Sequence, residues 1–93
     1  MYLVTYDISK DKLRTKLAKK LLNYGKRVQY SVFECELDNS RYKKMYSEIV
    51  KLTLNEEVSV RIYIIDEGAK RKIQVIGNQD YDKAPKKDDV IFI

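Results

Sequence analysis

The chain has 93 residues, a formal charge of +5 and a pI near 9.3, with 44% hydrophobic and 35% charged residues. That length gives one domain, residues 1–93, and leaves no room for a second; a domain this small also gains from self-association. Histidine is absent and no 18-residue apolar run exists, so Ser-His and Cys-His nucleophiles, the commonest zinc ligand and a membrane partner are all excluded.

Residues 2–8 read as a strand rich in β-branched and aromatic side chains, with Asp7 at its C-terminal tip. Residues 11–24 read as a helix. Ser9 is the expected cap, and Asp11 suits the positive end of the dipole. Leu13, Leu17, Leu21 and Tyr24 form its apolar stripe. Gly25 is expected to end it in the left-handed conformation. Residues 27–37 are β-rich but long for one strand, so a break near Tyr30-Ser31 is expected.

Asp38-Asn39-Ser40 is a turn and cap cluster. Tyr42, Met45, Tyr46, Ile49 and Val50 then follow helical spacing. Residues 58–65 read as a strand, Asp66-Glu67-Gly68-Ala69 as a turn, and 71–76 as a hairpin partner. A core of residues 1–77 is followed by an extension, 78–93. Its polar stretch ends in Val90-Ile91-Phe92-Ile93. Four apolar residues left in water would each cost roughly 1.5–3 kcal/mol. They are expected to add a strand to a sheet edge, in this chain or in a partner. The order predicts an α+β sandwich of the ferredoxin-like type, β-α-β-β-α-β. Both helices lie on one face of an antiparallel sheet, and the C-terminal strand is extra.

A single cysteine, Cys35, cannot form an internal disulfide, which fits a reducing, cytoplasmic compartment. The N-terminus enters a strand without a basic, apolar and small-residue succession, so no signal peptide is expected. Neither a GxGxxG nor a P-loop pattern occurs. Oxygen-ligand chemistry with Mg²⁺ (or Mn²⁺) remains open.

Asp7 is the candidate metal ligand. A hard divalent ion often sits on one or two carboxylates and keeps several waters; it can acidify a bound water and neutralise charge on a phosphodiester. Two copies of Asp7 across a two-fold axis would make a fuller site. The alternative is that Asp7 only terminates its strand or bonds the following turn.

Lys10, Lys12, Arg14, Lys16, Lys19, Lys20, Lys26 and Arg27 form a cationic run interrupted, after Asp7, by one acid, Asp11. Such a cluster can track a nucleic-acid backbone without reading bases; otherwise it is a solvated helix face. The eight tyrosines are mostly expected to pack, with Tyr6, beside Asp7, placed to stack on a base. Phe33 is read as a core or dimer-interface anchor.

Three segments together resemble the second protein of the CRISPR-associated (Cas) adaptation pair. They are Tyr6-Asp7-Ile8, the helix start Asp11-Lys12-Leu13-Arg14, and Gly25-Lys26-Arg27-Val28-Gln29-Tyr30-Ser31-Val32-Phe33-Glu34. Arg61-Ile62-Tyr63 fits as well. The resemblance implies a ferredoxin-like homodimer whose strand 90–93 (Val90, Ile91, Phe92, Ile93) reaches the partner's sheet. It implies that Asp7 from both protomers holds a divalent ion, and that Tyr6, Arg14, Arg27 and Phe33 serve a metal-dependent nuclease acting on single-stranded RNA or double-stranded DNA. It also implies binding to the CRISPR integrase during spacer capture, a role in which the dimer can be a non-catalytic scaffold. Lys16 stands where some relatives carry a second arginine; it keeps the charge and loses the bidentate fork. VapD-type ribonuclease toxins look similar.

Overall fold

A computed structural model describes residues 1–77. Strands β1 (Tyr2–Asp7), β2 (Lys26–Gln29), β3 (Val32–Cys35) and β4 (Ser59–Ile64) alternate with helices α1 (Asp11–Leu21), α2 (Asn39–Thr53) and α3 (Glu67–Arg71). The sheet is antiparallel in the order β2-β3-β1-β4. This is the expected ferredoxin-like arrangement. The expected strand at 90–93 lies outside the described residues.

Side chains alternate across a strand, and the burial pattern follows that alternation. Val4 and Tyr6 from β1 and Phe33 and Cys35 from β3 are buried on one face. Leu13, Leu17, Ala18 and Leu21 of α1 and Met45 and Ile49 of α2 close the same core. Both helices therefore cover one face of the sheet. Leu3 and Thr5 lie on the other face, where no helix packs among the described residues.

The break expected near Tyr30-Ser31 separates β2 from β3, and a bulge between Arg27 and Gln29 shifts their register. Asp38 caps α2 by accepting from the Arg41 backbone N–H at 2.8 Å. Asn55 takes a left-handed turn, φ 62°, which an asparagine tolerates, and returns the chain from α2 to β4.

Four local expectations need correction. The residue before α1 is Lys10, not Ser9, and no side chain caps that end. Helix α1 stops at Leu21, so Tyr24 lies in the turn, buried there with its hydroxyl donating to Glu48 at 2.6 Å. Gly25 is not left-handed. A Cβ there would lie 2.3 Å from the Glu34 carbonyl oxygen and 2.5 Å from Cys35 Sγ, so the glycine permits close approach of two backbones. Finally, 66–76 is not a turn and hairpin. Asp66 accepts from the Ala69 N–H at 2.8 Å and starts α3, and residues 73–76 join no strand. A side-chain cap converted what reads as a turn into a helical turn.

Candidate nucleic-acid and metal-binding site

Tyr6 and Asp7 are consecutive, so β1 sends them to opposite faces of the sheet. Tyr6 is buried on the helix side, so the expectation that it stacks on a base is corrected: its ring packs in the core, and Asp7 is exposed on the other face. Two separate clefts result.

The first is a cavity of about 280 Å³ lined by Tyr6, Arg14, Thr15, Lys19, Arg27 and Tyr30, with Ala18 and Leu22 completing the wall. Its floor is aromatic. The Tyr6 and Phe33 rings stack with centroids 6.3 Å apart, and the Arg27 guanidinium carbon lies 5.2 Å above Phe33. Phe33 is fully buried, so it supports Arg27 from beneath. The Tyr6 hydroxyl lies 3.5 Å from the Tyr30 carbonyl oxygen, as a donor. Arg14 is at the rim. It donates to the Ile8 carbonyl at 3.0 Å and to the Ser9 carbonyl at 3.5 Å, and pairs with Asp11. The Asp11 hydrogen bond, aided by Tyr30, holds the Arg14 guanidinium above its ordinary pKa.

The second cleft, about 430 Å³, is lined by Asp7, Ser9, Glu57, Val58 and Ser59. Asp7 pairs in register with Ser59 of β4. Among the described residues no hydrogen bond or ion pair engages its carboxylate. Lys10 reaches Glu56 at 2.9 Å and ties the loop after β1 to the loop before β4.

The oxygen donors at Asp7 suit a hard divalent ion that keeps most of its waters. No group of three or more acidic, histidine or cysteine side chains is assembled among the described residues. One chain thus brings two exposed carboxylates, Asp7 and Glu57, and the hydroxyls of Ser9 and Ser59 to this cleft.

Of the residues singled out from sequence, Tyr6, Arg14, Arg27 and Phe33 come together, joined by Lys19; Asp7 stands apart. Lys12, Lys16 and Lys20 form an exposed stripe at i, i+4 spacing along α1, and Lys26 is exposed at the start of β2. Lys10 is committed to Glu56. Tyr30, Thr15 and Glu57 were not singled out. Tyr30 follows the β2 bulge, which re-aims the chain, and only the position after the bulge hinted at it.

The fold is a basic α+β sandwich of the ferredoxin-like type, with a cationic cavity on its helix side and an exposed acid at a strand end. Residues 1–73 match the family model described as CRISPR associated protein Cas2, and the chain belongs to that family. It is 36% identical over 85 residues to a protein of Synechocystis named CRISPR-associated endoribonuclease Cas2 3, covering 91% of this chain and 92% of that one. It is 38% identical over 82 residues to a protein of Halalkalibacterium halodurans named CRISPR-associated endonuclease Cas2, covering 83% and 85%. Its fold is similar to that of Streptococcus pyogenes Cas2, with a TM-score of 0.71, 28% identity, and 82% and 98% of the two chains covered. A chain in a partial Cas6-RT-Cas1–Cas2 complex matches with a TM-score of 0.70 at 27% identity, covering 89% and 97%. No helix among the described residues is long and apolar enough to cross a membrane.

Proposed function

We propose that the protein is a homodimer that holds duplex DNA for the CRISPR integrase during spacer acquisition and hydrolyses phosphodiesters of RNA or DNA at Asp7 with Mg²⁺ or Mn²⁺. The observation that carries the hydrolytic reading is the exposed Asp7 carboxylate, unengaged among the described residues, on the sheet face that carries no helix among them. Half-buried Leu3, Thr5 and Val32 share that face, and Tyr63 and Val75 are exposed, so a second copy packed there would bury apolar surface. Packing face to face would also bring two Asp7 carboxylates toward one axis. When bound, the ion would supply charge neutralisation at the phosphodiester and acidify a water. The chain itself holds the strand through the α1 stripe and keeps the Asp7 loop in place through Arg14.

Partnership with the integrase is supported by the fold shared with a chain of the Cas1–Cas2 complex. Nuclease activity is supported by the names of the relatives. A scaffold without chemistry is the second reading. It is favoured because the cationic cavity and Asp7 open on opposite faces of the sheet, so DNA can be held without the acid.

Purified protein should cleave RNA or DNA only with a divalent metal, and Asp7→Ala should reduce cleavage at least about 100-fold. Cleavage at the parental rate by that variant would leave the scaffold reading alone standing. Integration reconstituted with the partner should survive Asp7→Ala and drop when Lys16, Lys19 and Lys20 become Glu. Full integration by the triple variant would remove the DNA-holding role.

A further inference from the structure

The cavity beside Tyr6 carries a charge imbalance. Arg14, Lys19 and Arg27 line it. Arg14 is committed to Asp11 and to two loop carbonyls. Neither Lys19 nor Arg27 has a carboxylate partner among the described residues. Arg27 is half-buried over Phe33, and its Nε is buried without a hydrogen-bond partner. Taking an unpaired guanidinium partly out of water is costly. The Phe33 ring beneath offsets part of that cost; no carboxylate does so among the described residues, and an anion in the cavity would. The volume, about 280 Å³, falls just short of the usual range for ligand sites, roughly 300 Å³ upward, and suits a small group.

We propose that this cavity binds a phosphate monoester, carried by the phosphorylated end of a nucleic-acid strand or by a free nucleotide. The charge count selects the monoester. Lys19 and Arg27 supply the two positive charges left uncommitted. A monoester near neutral pH carries about −1.5 to −2 and three strong acceptor oxygens. An internal diester carries one negative charge and would leave one of the two cations unanswered. The planar fork of Arg27 suits phosphate oxygens. The exposed ring of Tyr30 at the rim offers a surface for the attached sugar or base. The proposal rests on the nucleic-acid-binding reading above and needs no chemistry at Asp7.

The test is a binding titration of the full chain in EDTA, so that cleavage does not enter. Short single strands of one sequence carry a 5′-phosphate, a 3′-phosphate or hydroxyls only, followed by fluorescence anisotropy. AMP and inorganic phosphate serve as competitors. One phosphorylated end should bind about tenfold more tightly than the hydroxyl strand. That preference should shrink to within about twofold in Arg27→Met, which keeps the apolar stem over Phe33, and fall partway in Arg27→Lys, which keeps charge without the fork. Joint replacement of Lys12, Lys16 and Lys20 by Gln should weaken all strands alike and preserve the preference. Competition by AMP identifies a free nucleotide as a ligand; its failure to compete assigns the site to strand ends. Equal affinity for phosphate and hydroxyl ends, with no Arg27-dependent binding of AMP, overturns the proposal. A protein that binds no strand at all instead fails the nucleic-acid reading itself.

Discussion

Tyr6 and Asp7 are one peptide bond apart and serve two different surfaces. Around Tyr6 the protein is built: a buried ring, a fully buried Phe33 beneath, a guanidinium laid over it, and Arg14 braced across the rim. Around Asp7 it is open: an exposed carboxylate, two serines and a glutamate. The cationic side is organised by α1, β2 and β3, the acidic side by β1, β4 and their loops. The proposed holding of phosphate and the proposed chemistry at Asp7 are therefore separable, because strand alternation places Tyr6 and Asp7 on opposite faces. The two sides should respond to different perturbations.

The sharpest way to break only the cationic side is Gly25→Ala. The new Cβ would meet the Glu34 carbonyl oxygen at 2.3 Å, and backbone cannot swing away like a side-chain tip. Strand β2 would have to shift off β3, carrying Arg27 with it. We expect a loss of roughly 3 kcal/mol in denaturant unfolding and loss of oligonucleotide binding. The β1–β4 pairing that carries Asp7 does not involve β2. Stability within about 0.5 kcal/mol of the parent would show that the two backbones are not in such contact.

Alkaline pH is a milder route to the same side. Cys35 is fully buried behind Phe33, and burial, with some help from Glu34, pushes its thiol up to about 11 from 9.0. In the unfolded chain the thiol loses its proton first. Between those two values the folded state binds more protons, so stability falls as pH rises. The loss is at most about 2–3 kcal/mol across the window. Below pH 9 the full contribution is present. Unfolding curves of the parent and Cys35→Ala at pH 8 to 10.5, under reducing conditions, should converge as pH rises. Parallel curves would contradict the buried-thiol account.

Arg14 joins the two sides. Its guanidinium lines the cationic cavity while holding the carbonyls of Ile8 and Ser9, the residues that follow Asp7. We read it as a positioning residue for that loop. Arg14→Gln should lower stability measurably and slow any Asp7-dependent cleavage about tenfold, mainly in kcat, with KM little changed. Arg14→Lys should restore little, because a single ammonium cannot both reach the two carbonyls, which Nη1 contacts, and pair with Asp11, which Nη2 contacts. A change confined to KM would make Arg14 a strand-holding group.

Much of this was legible in the sequence, and the gaps have physical reasons. Apolar spacing placed β1, α1, α2 and β4, and the excess length of 27–37 located the break that gives β2 and β3. The cationic run of eight residues read as one patch around Asp7. It divides because α1 turns Lys19 toward β2 while Lys12, Lys16 and Lys20 face outward, and because β1 points Asp7 away. Linear proximity carries no information about which face of a sheet a residue takes until the register is known. Gly25 looked like a helix stop, yet its reason is a contact with Glu34 and Cys35, a non-local fact. Helix α3 was missed because five residues give too little periodicity to outweigh a turn-like Asp-Glu-Gly.

Lys10 marks where the comparison is finest. Sequence groups it with the cations, but its ammonium is paired with Glu56 at 2.9 Å, next to the acidic cleft. The pair is exposed on the lysine side, so Lys10→Gln should change stability by no more than about 0.5 kcal/mol. Its effect on nucleic-acid binding is the informative readout. Each lysine that neutralises a duplex phosphate contributes about 0.9 to the slope of log affinity against log salt. Lys16→Gln should lower that slope by about this amount. Lys10→Gln should lower it by less than half as much, since Glu56 already answers its charge. Equal slopes for the two variants would mean that DNA displaces Glu56 and that the cationic surface extends to the edge of the Asp7 cleft. The acid would then lie within reach of the bound backbone in a single chain, and holding and cleaving would no longer be separable.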